Sequence, residues 1–378
     1  MTAYLDWAAT AIPDPEIYRR AAEKAAEAWA NPSSQHREGK KAAESLENAR
    51  RLCASVLGVP PETVFFTSGG TEADQIPLLS LLRRPAPGSA VISAIEHPAV
   101  RNQAEVLKKF GWTILPVNPD ADGFITPEAV LAAIREDTAF AAVMCVNNET
   151  GAIQPVEEIA AALKTLGKRR IHFHTDAVQA AGMFPRTPET AGIHSMAFSG
   201  HKLGAPRGCG LLYCSPKPDP FLSGGGQEKG VRPGTENLAG AWAMAFALEK
   251  TARWFADPEQ KAGAEDKAAF LFRKLTAIPG VTSIPPSRRE RSGNFSPFLF
   301  QFTNAMFPGE VLVRMLSDAG ICISTGSACS AKKKARPVLQ AMKTGAKDAQ
   351  NAFRVSTGIR TTQEEIEFLA GTLSDILR

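Results

Sequence analysis

The sequence predicts an α/β fold, in which a large domain has a mainly parallel sheet flanked by helices and a smaller α+β domain follows. Between about residue 33 and residue 215, short apolar strands alternate with segments of helical periodicity. Such alternation is typical of a parallel sheet that helices cover on both faces. Beyond about residue 280 the alternation weakens. We therefore expect a large domain over residues 14–252 and a small domain formed by residues 1–13 and 253–378.

The strands of the predicted sheet are short apolar runs separated by helical segments. We predict strands over residues 64–66, 90–94, 139–146, 171–175 and 195–198. Helix-end residues support the segments between them: Ser33-Ser34 and Thr126-Pro127 suit helix starts, and Gly58 suits a helix end. Because ligands bind beyond the carboxyl ends of parallel strands, we expect the functional residues to follow these strands.

The later part of the chain has a different character. Residues 221–240 are rich in glycine and poor in apolar residues, which predicts an open segment rather than a core element. Helical patterns then cover residues 241–275, interrupted at Asp257-Pro258. A strand over residues 298–302 and helices over 309–319 and 363–377 complete the predicted small domain.

Composition argues against several classes of protein. The 378 residues are 22% charged and 44% hydrophobic, which is ordinary for a soluble globular protein. The formal net charge of +4 is small for this length, so we expect no direct contact with nucleic acid. No apolar run approaches the roughly 20 residues that cross a bilayer, and the first residues do not resemble a signal peptide. The sequence predicts a cytoplasmic protein without membrane association.

The cysteines and histidines do not form a pattern typical of a metal site. The six cysteines are scattered without paired ligand spacing. Those at positions 145, 209 and 214 lie in apolar contexts, which predicts buried thiols. His172 and His174 alternate on a predicted strand, but no further ligand is near them in sequence, so we expect no metal. Cys329 differs because its neighbours are small or polar, which predicts an accessible thiol.

Three groups follow predicted strands and suggest chemistry at the sheet edge. Gly69-Gly70-Thr71 lies between a strand and a helix, where backbone N–H groups can bind phosphate. Lys202 closely follows a strand, a position suited to imine formation. Asp176 follows the neighbouring strand and could hold a cationic pyridinium nitrogen. Taken singly, each is equally compatible with a glycine-rich turn or a solvated loop charge.

Eight short motifs decide between these interpretations. In chain order they are Thr67-Ser68-Gly69-Gly70-Thr71-Glu72, Glu96-His97, Asn147-Asn148-Glu149-Thr150-Gly151, Asp176-Ala177-Val178-Gln179, Ser199-Gly200-His201-Lys202, Arg232-Pro233-Gly234-Thr235, Gly326-Ser327-Ala328-Cys329 and Arg354-Val355-Ser356. With this order the chain resembles the cysteine desulfurases, which are class V aminotransferases with the fold type I architecture of pyridoxal-phosphate enzymes. The resemblance extends from Tyr4 to Thr362.

The resemblance implies that pyridoxal 5′-phosphate is the cofactor. Lys202 would bond to it covalently and later move the substrate's α-proton as base and acid. Asp176 would keep the pyridine nitrogen protonated, and His97 would stack on the ring and assist proton transfer. Further cofactor-binding residues implied by the motifs are Gly70, Thr71, Asn148, Gln179, Ser199, His201 and Thr235. By family analogy Thr235 reaches the phosphate of the other subunit, so the resemblance implies a homodimer.

The same resemblance implies how L-cysteine is bound and consumed. Arg354 would clamp the substrate carboxylate, and Asn148 would contact the substrate. Cys329 would attack the substrate sulfur as a thiolate, releasing alanine and forming a persulfide. Lys332-Lys333-Lys334 and Arg336 follow closely. These basic side chains either favour the thiolate form of Cys329 or bind an acidic sulfur acceptor, or they are only solvated charges on a surface loop.

The resemblance leaves the pathway open. In the length of the loop that carries Cys329, the chain resembles the branch of the cysteine desulfurases with a long, mobile cysteine loop. That branch supplies sulfur to iron–sulfur cluster assembly or tRNA thiolation. A protein acceptor of either kind is therefore expected. Gln75 and residues 203–207 depart from the usual family pattern without removing a catalytic group. Alternatives are a selenocysteine lyase or another class V enzyme, and a non-catalytic sulfur-relay or scaffold homologue.

Overall fold

The chain alternates helices and strands over most of its length. The computed structural model describes residues 2–167, 171–180, 182–183, 187–326 and 336–378. Its helices are α1 (Pro15–Glu27), α2 (Arg37–Leu57), α3 (Gly70–Leu79), α4 (Pro98–Lys109), α5 (Pro127–Ala133), α6 (Val156–Lys164), α7 (Pro188–Ala191), α8 (Leu238–Ala256), α9 (Pro258–Thr276), α10 (Gly309–Asp318), α11 (Pro337–Ala341), α12 (Ala346–Gln350) and α13 (Gln363–Ile376). Its strands are β1 (Ala3–Tyr4), β2 (Val64–Thr67), β3 (Ser89–Ser93), β4 (Thr113–Val117), β5 (Thr138–Ala142), β6 (His172–Asp176), β7 (Ser195–Ser199), β8 (Gly210–Cys214), β9 (Val281–Ser283), β10 (Leu299–Asn304), β11 (Ile321–Cys322) and β12 (Ala352–Ser356).

Seven strands form the main sheet, in the order β2-β8-β7-β6-β5-β3-β4. Strand β8 is antiparallel to both of its neighbours, and the remaining pairs are parallel. All strands except β8 therefore run in one direction, which confirms the predicted α/β class with a mainly parallel sheet. The carboxyl ends of β2, β3, β5, β6 and β7 consequently lie along one edge, where ligands of such sheets bind.

The five strands predicted from apolar runs are all present as β2, β3, β5, β6 and β7. The run over residues 139–146 stops being a regular strand at Ala142, but its backbone still follows β6: the N–H of Val143 donates to the carbonyl of His174 at 3.2 Å. Sequence reasoning missed β4 and β8. Strand β4 contains Pro116 and lies at the edge of the sheet, a position where a strand tolerates proline.

Helix ends follow local sequence signals, with one correction. The prediction that Ser33-Ser34 caps α2 is wrong, because the N-cap is His36, whose Nδ1 accepts from the N–H of Gly39 at 3.2 Å. Gly58 ends α2 in the left-handed conformation, at φ 67°, as predicted. Asp257 separates α8 from α9 and caps α9, because its side chain accepts from the N–H of Glu259. No helix in the described ranges is long and apolar enough to cross a membrane.

A second hydrophobic cluster lies apart from the main sheet. The antiparallel sheet β12-β10-β9 and the parallel pair β1–β11 supply part of it. Its buried members come from both ends of the chain, from Ala3 and Leu5 and from positions between Leu271 and Leu373. The amino-terminal segment thus packs with the carboxy-terminal elements. The domain boundaries at residues 13/14 and 252/253 stay a prediction.

The thiols and imidazoles singled out in the sequence are mostly buried. Cys145, Cys209 and Cys214 are buried, as predicted. His172 and His174 share the hydroxyl of Ser195, at 2.8 Å from a ring nitrogen of each. In the part of the chain that the structure describes, no group of three or more His, Cys, Asp and Glu side chains is arranged to hold a metal ion.

Candidate active site

The candidate residues lie where parallel strands of the main sheet end. Strand β2 leads into α3 at Gly70, β6 ends at Asp176, and β7 leads into the single turn that carries Lys202. His97 caps α4 shortly after β3. Because parallel strands end at one edge, elements far apart in sequence meet there. The structure thus brings together the residues that the sequence placed after separate strands.

The ammonium group of Lys202 contacts the amino-terminal segment. Nζ donates to the carbonyl of Ala8 at 2.5 Å and to the carbonyl of Ala9 at 2.8 Å. Gln179 donates through Nε2 to the same Ala8 carbonyl, at 2.9 Å. Lys202 and Gln179 also line a common cavity of about 90 Å³. One backbone carbonyl therefore holds two candidate cofactor-binding side chains side by side.

Asp176 is a buried carboxyl without a nearby arginine partner among its described contacts. It is 4% exposed, and Oδ1 accepts from the N–H of Val178 at 2.8 Å. Burial raises the pKa of Asp176 to about 8. The nearby charge of Lys202 acts in the opposite direction. Such a carboxyl is suited to a cationic ligand, whose charge would restore its ionised form.

The two histidines of the site are neutral at pH 7. Burial, followed by the charge of Lys202, lowers the pKa of His97 to about 4. Its Nδ1 accepts from the N–H of Ala99 at 3.2 Å, so the proton of the neutral ring is on Nε2. Burial and Lys202 likewise lower the pKa of His201 to about 4. Nδ1 of His201 lies 3.1 Å from Oγ1 of Thr10.

The amino-terminal end of α3 forms a cradle for an anion. Gly69 caps this helix without a side-chain hydrogen bond, which leaves the first N–H groups for a ligand. A Cβ atom on Gly70 would lie 2.5 Å from Cγ2 of Val178 and 3.4 Å from Cβ of Ser199. The backbone at Gly70 therefore packs closely against the segments that follow β6 and β7. Thr71 is exposed at the same helix end.

Arg354 is a buried guanidinium with one unpaired donor. Its side chain is 2% exposed; Nη1 donates to the carbonyl of Asn148 at 2.7 Å, and Nη2 donates to Oδ1 of Asp6 at 2.9 Å. Its Nε is buried, and none of the described residues accepts a hydrogen bond from it. Buried polar groups are nearly always paired, so an unpaired N–H beside two fixed contacts is suited to an anionic ligand.

Thr235 and Cys329 are the predicted site residues for which the structure describes no contact with this group. Thr235 is exposed in the segment before α8, and in the described ranges no hydrogen bond links it to the residues above. Cys329 lies outside the described residues, as do Lys332, Lys333 and Lys334. Their predicted roles therefore rest on the sequence.

Sequence reasoning missed the contribution of the amino-terminal segment. Asp6 pairs with Arg354, and the carbonyls of Ala8 and Ala9 accept from Lys202. The start of the resemblance at Tyr4 was a signal that this segment matters. Nothing in the local pattern, however, connects a carbonyl with a lysine almost 200 positions later.

Comparison with known proteins agrees with this geometry. The family model described as Aminotransferase class-V matches residues 3–369. The chain belongs to the class V aminotransferase family. The chain is 37% identical over 375 residues to a NifS/IcsS protein homolog of Lactobacillus delbrueckii subsp. bulgaricus, covering 97% of this chain and 95% of the relative. It is 34% identical to the cysteine desulfurase NifS of Azotobacter vinelandii, covering 96% and 90%. A solved NifS-like protein superposes with a TM-score of 0.89 at 30% identity, covering 100% of this chain and 99% of that one.

The cofactor of this family is pyridoxal phosphate, and the residues at the sheet edge fit it. The uncapped start of α3 is suited to the phosphate group. The buried carboxyl of Asp176, whose pKa is raised to about 8, is suited to a protonated ring nitrogen. Lys202 supplies a primary amine within electrostatic reach of both Asp176 and His97. Phosphate cradle, acid and amine thus occur together at one edge.

Proposed function

We propose that this chain is a cysteine desulfurase, which converts L-cysteine to L-alanine and transfers the sulfur to Cys329 as a persulfide. Two relatives support this activity: the 34% identical Azotobacter protein carries the name cysteine desulfurase, and the 37% identical Lactobacillus protein is named after NifS. The order of the eight motifs supports it independently. The structural observation that carries it is the unpaired, buried Nε of Arg354.

Arg354 would bind the carboxylate of the substrate. The carbonyl of Asn148 fixes Nη1, and Asp6 fixes Nη2, so the orientation of the guanidinium is set before substrate arrives. A carboxylate that accepts from Nε would satisfy the unpaired donor. This contact would place the α-carbon of an amino acid at the same sheet edge as Lys202. Asn148, which is 6% exposed, would border the substrate there.

The remaining residues would bind the cofactor and move protons. When bound, pyridoxal phosphate supplies an electron sink for the bonds at the substrate's α-carbon. Lys202 would hold it covalently through Nζ, and Asp176 would accept a hydrogen bond from its ring nitrogen. The residues that would hold the phosphate or border the ring are Gly70, Thr71, His97, Asn148, Gln179, Ser199 and His201. Released by the substrate, Nζ of Lys202 would remove the α-proton, and His97 would donate through Nε2.

Cys329 would accept the sulfur atom. Its thiolate attacks the sulfur of the substrate, so an S–S bond forms and the substrate's C–S bond breaks, with the electron pair remaining on the carbon side. Protonation of that carbon leads to alanine. The net reaction converts L-cysteine and the Cys329 thiol to L-alanine and the Cys329 persulfide, without an external oxidant or reductant. Three buried cysteines are less suited, since burial raises the pKa of Cys145, Cys209 and Cys214 to about 12.

The proposal includes two partners. A homodimer would allow Thr235 of the partner subunit to reach the phosphate group; the exposure of Thr235 supports this. A protein acceptor, either an iron–sulfur scaffold or a tRNA-thiolation protein, would take the sulfur from Cys329. Lys332, Lys333 and Lys334 would meet an acidic acceptor. Arg336, in contrast, is partly buried and donates to the carbonyls of Thr325 and Ala352.

The test is to supply the purified holoenzyme with L-cysteine and dithiothreitol and to quantify alanine and sulfide. Equal amounts over repeated turnovers are expected. Cys329→Ala should keep the visible absorption of the cofactor and form no protein persulfide, whereas Cys322→Ala, at a partly exposed described cysteine, is the matched control. Alanine release by Cys329→Ala at the normal rate would show that another group accepts the sulfur. Turnover of selenocysteine alone indicates a lyase, and a protein that binds no cofactor indicates a scaffold.

A further inference from the structure

Strand β6 presents three titratable side chains on one face. His172, His174 and Asp176 alternate along the strand, so they share a face, and α3 packs against this strand. Asp74 of α3 lies on that face, with Oδ1 3.1 Å from Nε2 of His174. A second carboxyl is thus buried immediately behind Asp176, the residue assigned to the cofactor ring.

Hydrogen bonds connect these residues into a chain. Oγ of Ser195 lies 2.8 Å from Nδ1 of His174 and 2.8 Å from Nε2 of His172. The side chains of Asp74 and His174 are 1% and 0% exposed, so water cannot replace either partner. Ser195 has one proton for two imidazole nitrogens. Whether Asp74 donates to His174 or accepts from it therefore determines which group donates in each of the other hydrogen bonds of the series.

Two arrangements satisfy all of these contacts with neutral imidazoles. If Asp74 is protonated, it donates to Nε2 of His174, Nδ1–H of His174 donates to Ser195, and Ser195 donates to His172. If Asp74 is ionised, each of these bonds runs the other way. Burial lowers the pKa of His174 to about 4, so an imidazolium does not offset the charge of Asp74.

The surrounding charges distinguish the two arrangements. Glu96 and Asp176 are also buried, at 1% and 4% exposed, and both interact with this group. Glu96 accepts from Oγ of Ser93 at 2.6 Å and from the N–H of Met144 at 2.7 Å, and Asp176 accepts from the N–H of Val178. Asp74 has its one described hydrogen bond with His174. Asp176 also lies near the positive charge of Lys202, so of the three carboxyls Asp74 has the least support for a negative charge.

We propose that Asp74 is a positioning residue that stays protonated and donates to Nε2 of His174, which leaves Asp176 as the ionised carboxylate beside the cofactor ring. The inference rests on the cofactor role assigned to Asp176 in the proposed function. The proton on Asp74 sets the tautomers of both histidines: His174 carries its proton on Nδ1, and so does His172. Three groups face these hydrogen-bonded residues from other elements: Glu96, His194, whose ring is tilted by 34° and centred 5.3 Å from that of His172, and Lys164, whose charge acts on His194.

The imidazole nitrogens of the holoenzyme provide the direct test. The chain has six histidines, so ¹⁵N-histidine labelling with one assignment variant, His174→Gln, resolves the resonance of interest. A protonated Nδ1 and an unprotonated, hydrogen-bonded Nε2 on His174 are expected at pH 7.5. The reverse tautomer, or a doubly protonated ring, would overturn the proposal. This measurement needs no variant at Asp74 and no turnover.

Substitution of Asp74 tests the effect on the cofactor. Asp74→Asn removes no charge if Asp74 is neutral, and its amide can still donate to His174. The pH midpoint of the cofactor's visible absorption should then shift by less than about 0.3 unit. Asp74→Ala removes the donor to Nε2 of His174, so this variant should no longer fix the His174 tautomer. Asp176→Asn is the positive control for loss of a charge. A shift of about one unit or more in Asp74→Asn would mean that Asp74 is ionised. If these results are obtained but the enzyme does not release sulfur from L-cysteine, the proposed function is refuted and the inference about Asp74 is not.

Discussion

Arg50 and Glu228 form a bidentate ion pair in the interior of the large sheet domain. Nη1 of Arg50 lies 2.7 Å from Oε2 of Glu228, Nη2 lies 2.8 Å from Oε1, and both side chains are 2% exposed. Oε2 also accepts from the N–H of Phe66 in β2, at 2.8 Å. Glu228 and Lys229 have φ values of 47° and 57°, in the left-handed region that non-glycine residues seldom occupy. The pair therefore holds a strained turn, shortly before Thr235, against the sheet.

Glu228→Gln should destabilise the protein strongly, because the guanidinium of Arg50 loses its buried counter-charge. We expect the free energy of unfolding to fall by about 3–5 kcal/mol, measured by urea denaturation. Asp219→Asn is the control, since Asp219 is 67% exposed and lies 3.4 Å from Arg83, and it should cost less than about 1 kcal/mol. Equal effects of the two substitutions would contradict the assignment of Arg50–Glu228 as a structural anchor.

Lys202→Ala should abolish the covalent attachment of the cofactor. The holoenzyme should have a visible absorption band that the variant lacks, because Lys202 is the one lysine among the described residues that line this cavity. Lys217→Ala is a matched control: Lys217 also donates to a backbone carbonyl, that of Lys229, at 2.5 Å, but lies on an exposed segment. It should keep the band. Retention of the band in Lys202→Ala would assign the attachment to another lysine.

The sequence predicted that these candidate residues would meet at one edge of the sheet, as they do in the structure, because the signals for their positions are local. A glycine turn before a helix start and a lysine or aspartate at a strand end can be recognised within a few residues, as at Gly70, Asp176 and Lys202. The pairing of Asp6 with Arg354 spans 348 positions and leaves no local pattern. Strand β8 was not predicted at all, and its largely apolar sequence would not have shown that it runs antiparallel to both neighbours.

The open segment over residues 221–240 illustrates a further limit. Its glycine content predicted an absence of core residues, yet Glu228 is 4% exposed and Val231 is 1% exposed. Burial at Glu228 depends on Arg50, which lies on α2 and carries no sequence mark that distinguishes it from exposed arginines. Isolated charged residues inside a flexible-looking stretch are therefore misread whenever their partner is distant.

The stability of the cofactor-free protein should decrease as the pH rises. Burial raises the pKa of Asp176 to about 8, so the folded state binds a proton that the unfolded chain releases near pH 4. The stabilisation from this bound proton is complete at pH values below the pKa of Asp176 in the unfolded chain. It is lost as the pH rises towards 8. Between pH 5 and 7.5 this residue should contribute a slope of about −1.4 kcal/mol per pH unit, measured by urea denaturation.

Asp176→Asn should flatten that slope, because an amide does not titrate. Asp74 and Glu96 leave part of the slope in the variant, because burial raises the pKa of Asp74 as well and that of Glu96 to about 7. Pyridoxal phosphate should flatten the wild-type slope as well, since a cationic ring nitrogen favours the ionised carboxylate. An identical slope for wild type and Asp176→Asn would mean that this carboxyl is ionised in the cofactor-free protein.

The proposed role of Thr235 across a dimer can be tested by mixing two defects. In a heterodimer of a Lys202→Ala chain and a Thr235→Val chain, a contact across the interface would place both defects in one site and leave the other site intact. The heterodimer is purified with two different tags, one on each chain. It should then bind one cofactor per dimer with wild-type affinity, measured by absorption. If Thr235 acted within its own chain, each site would carry one defect and no wild-type site would remain. The two homodimeric variants, each purified alone, fix the affinities of the singly defective sites. Because the readout counts intact sites, it distinguishes assembly of the site between chains from a general loss of stability.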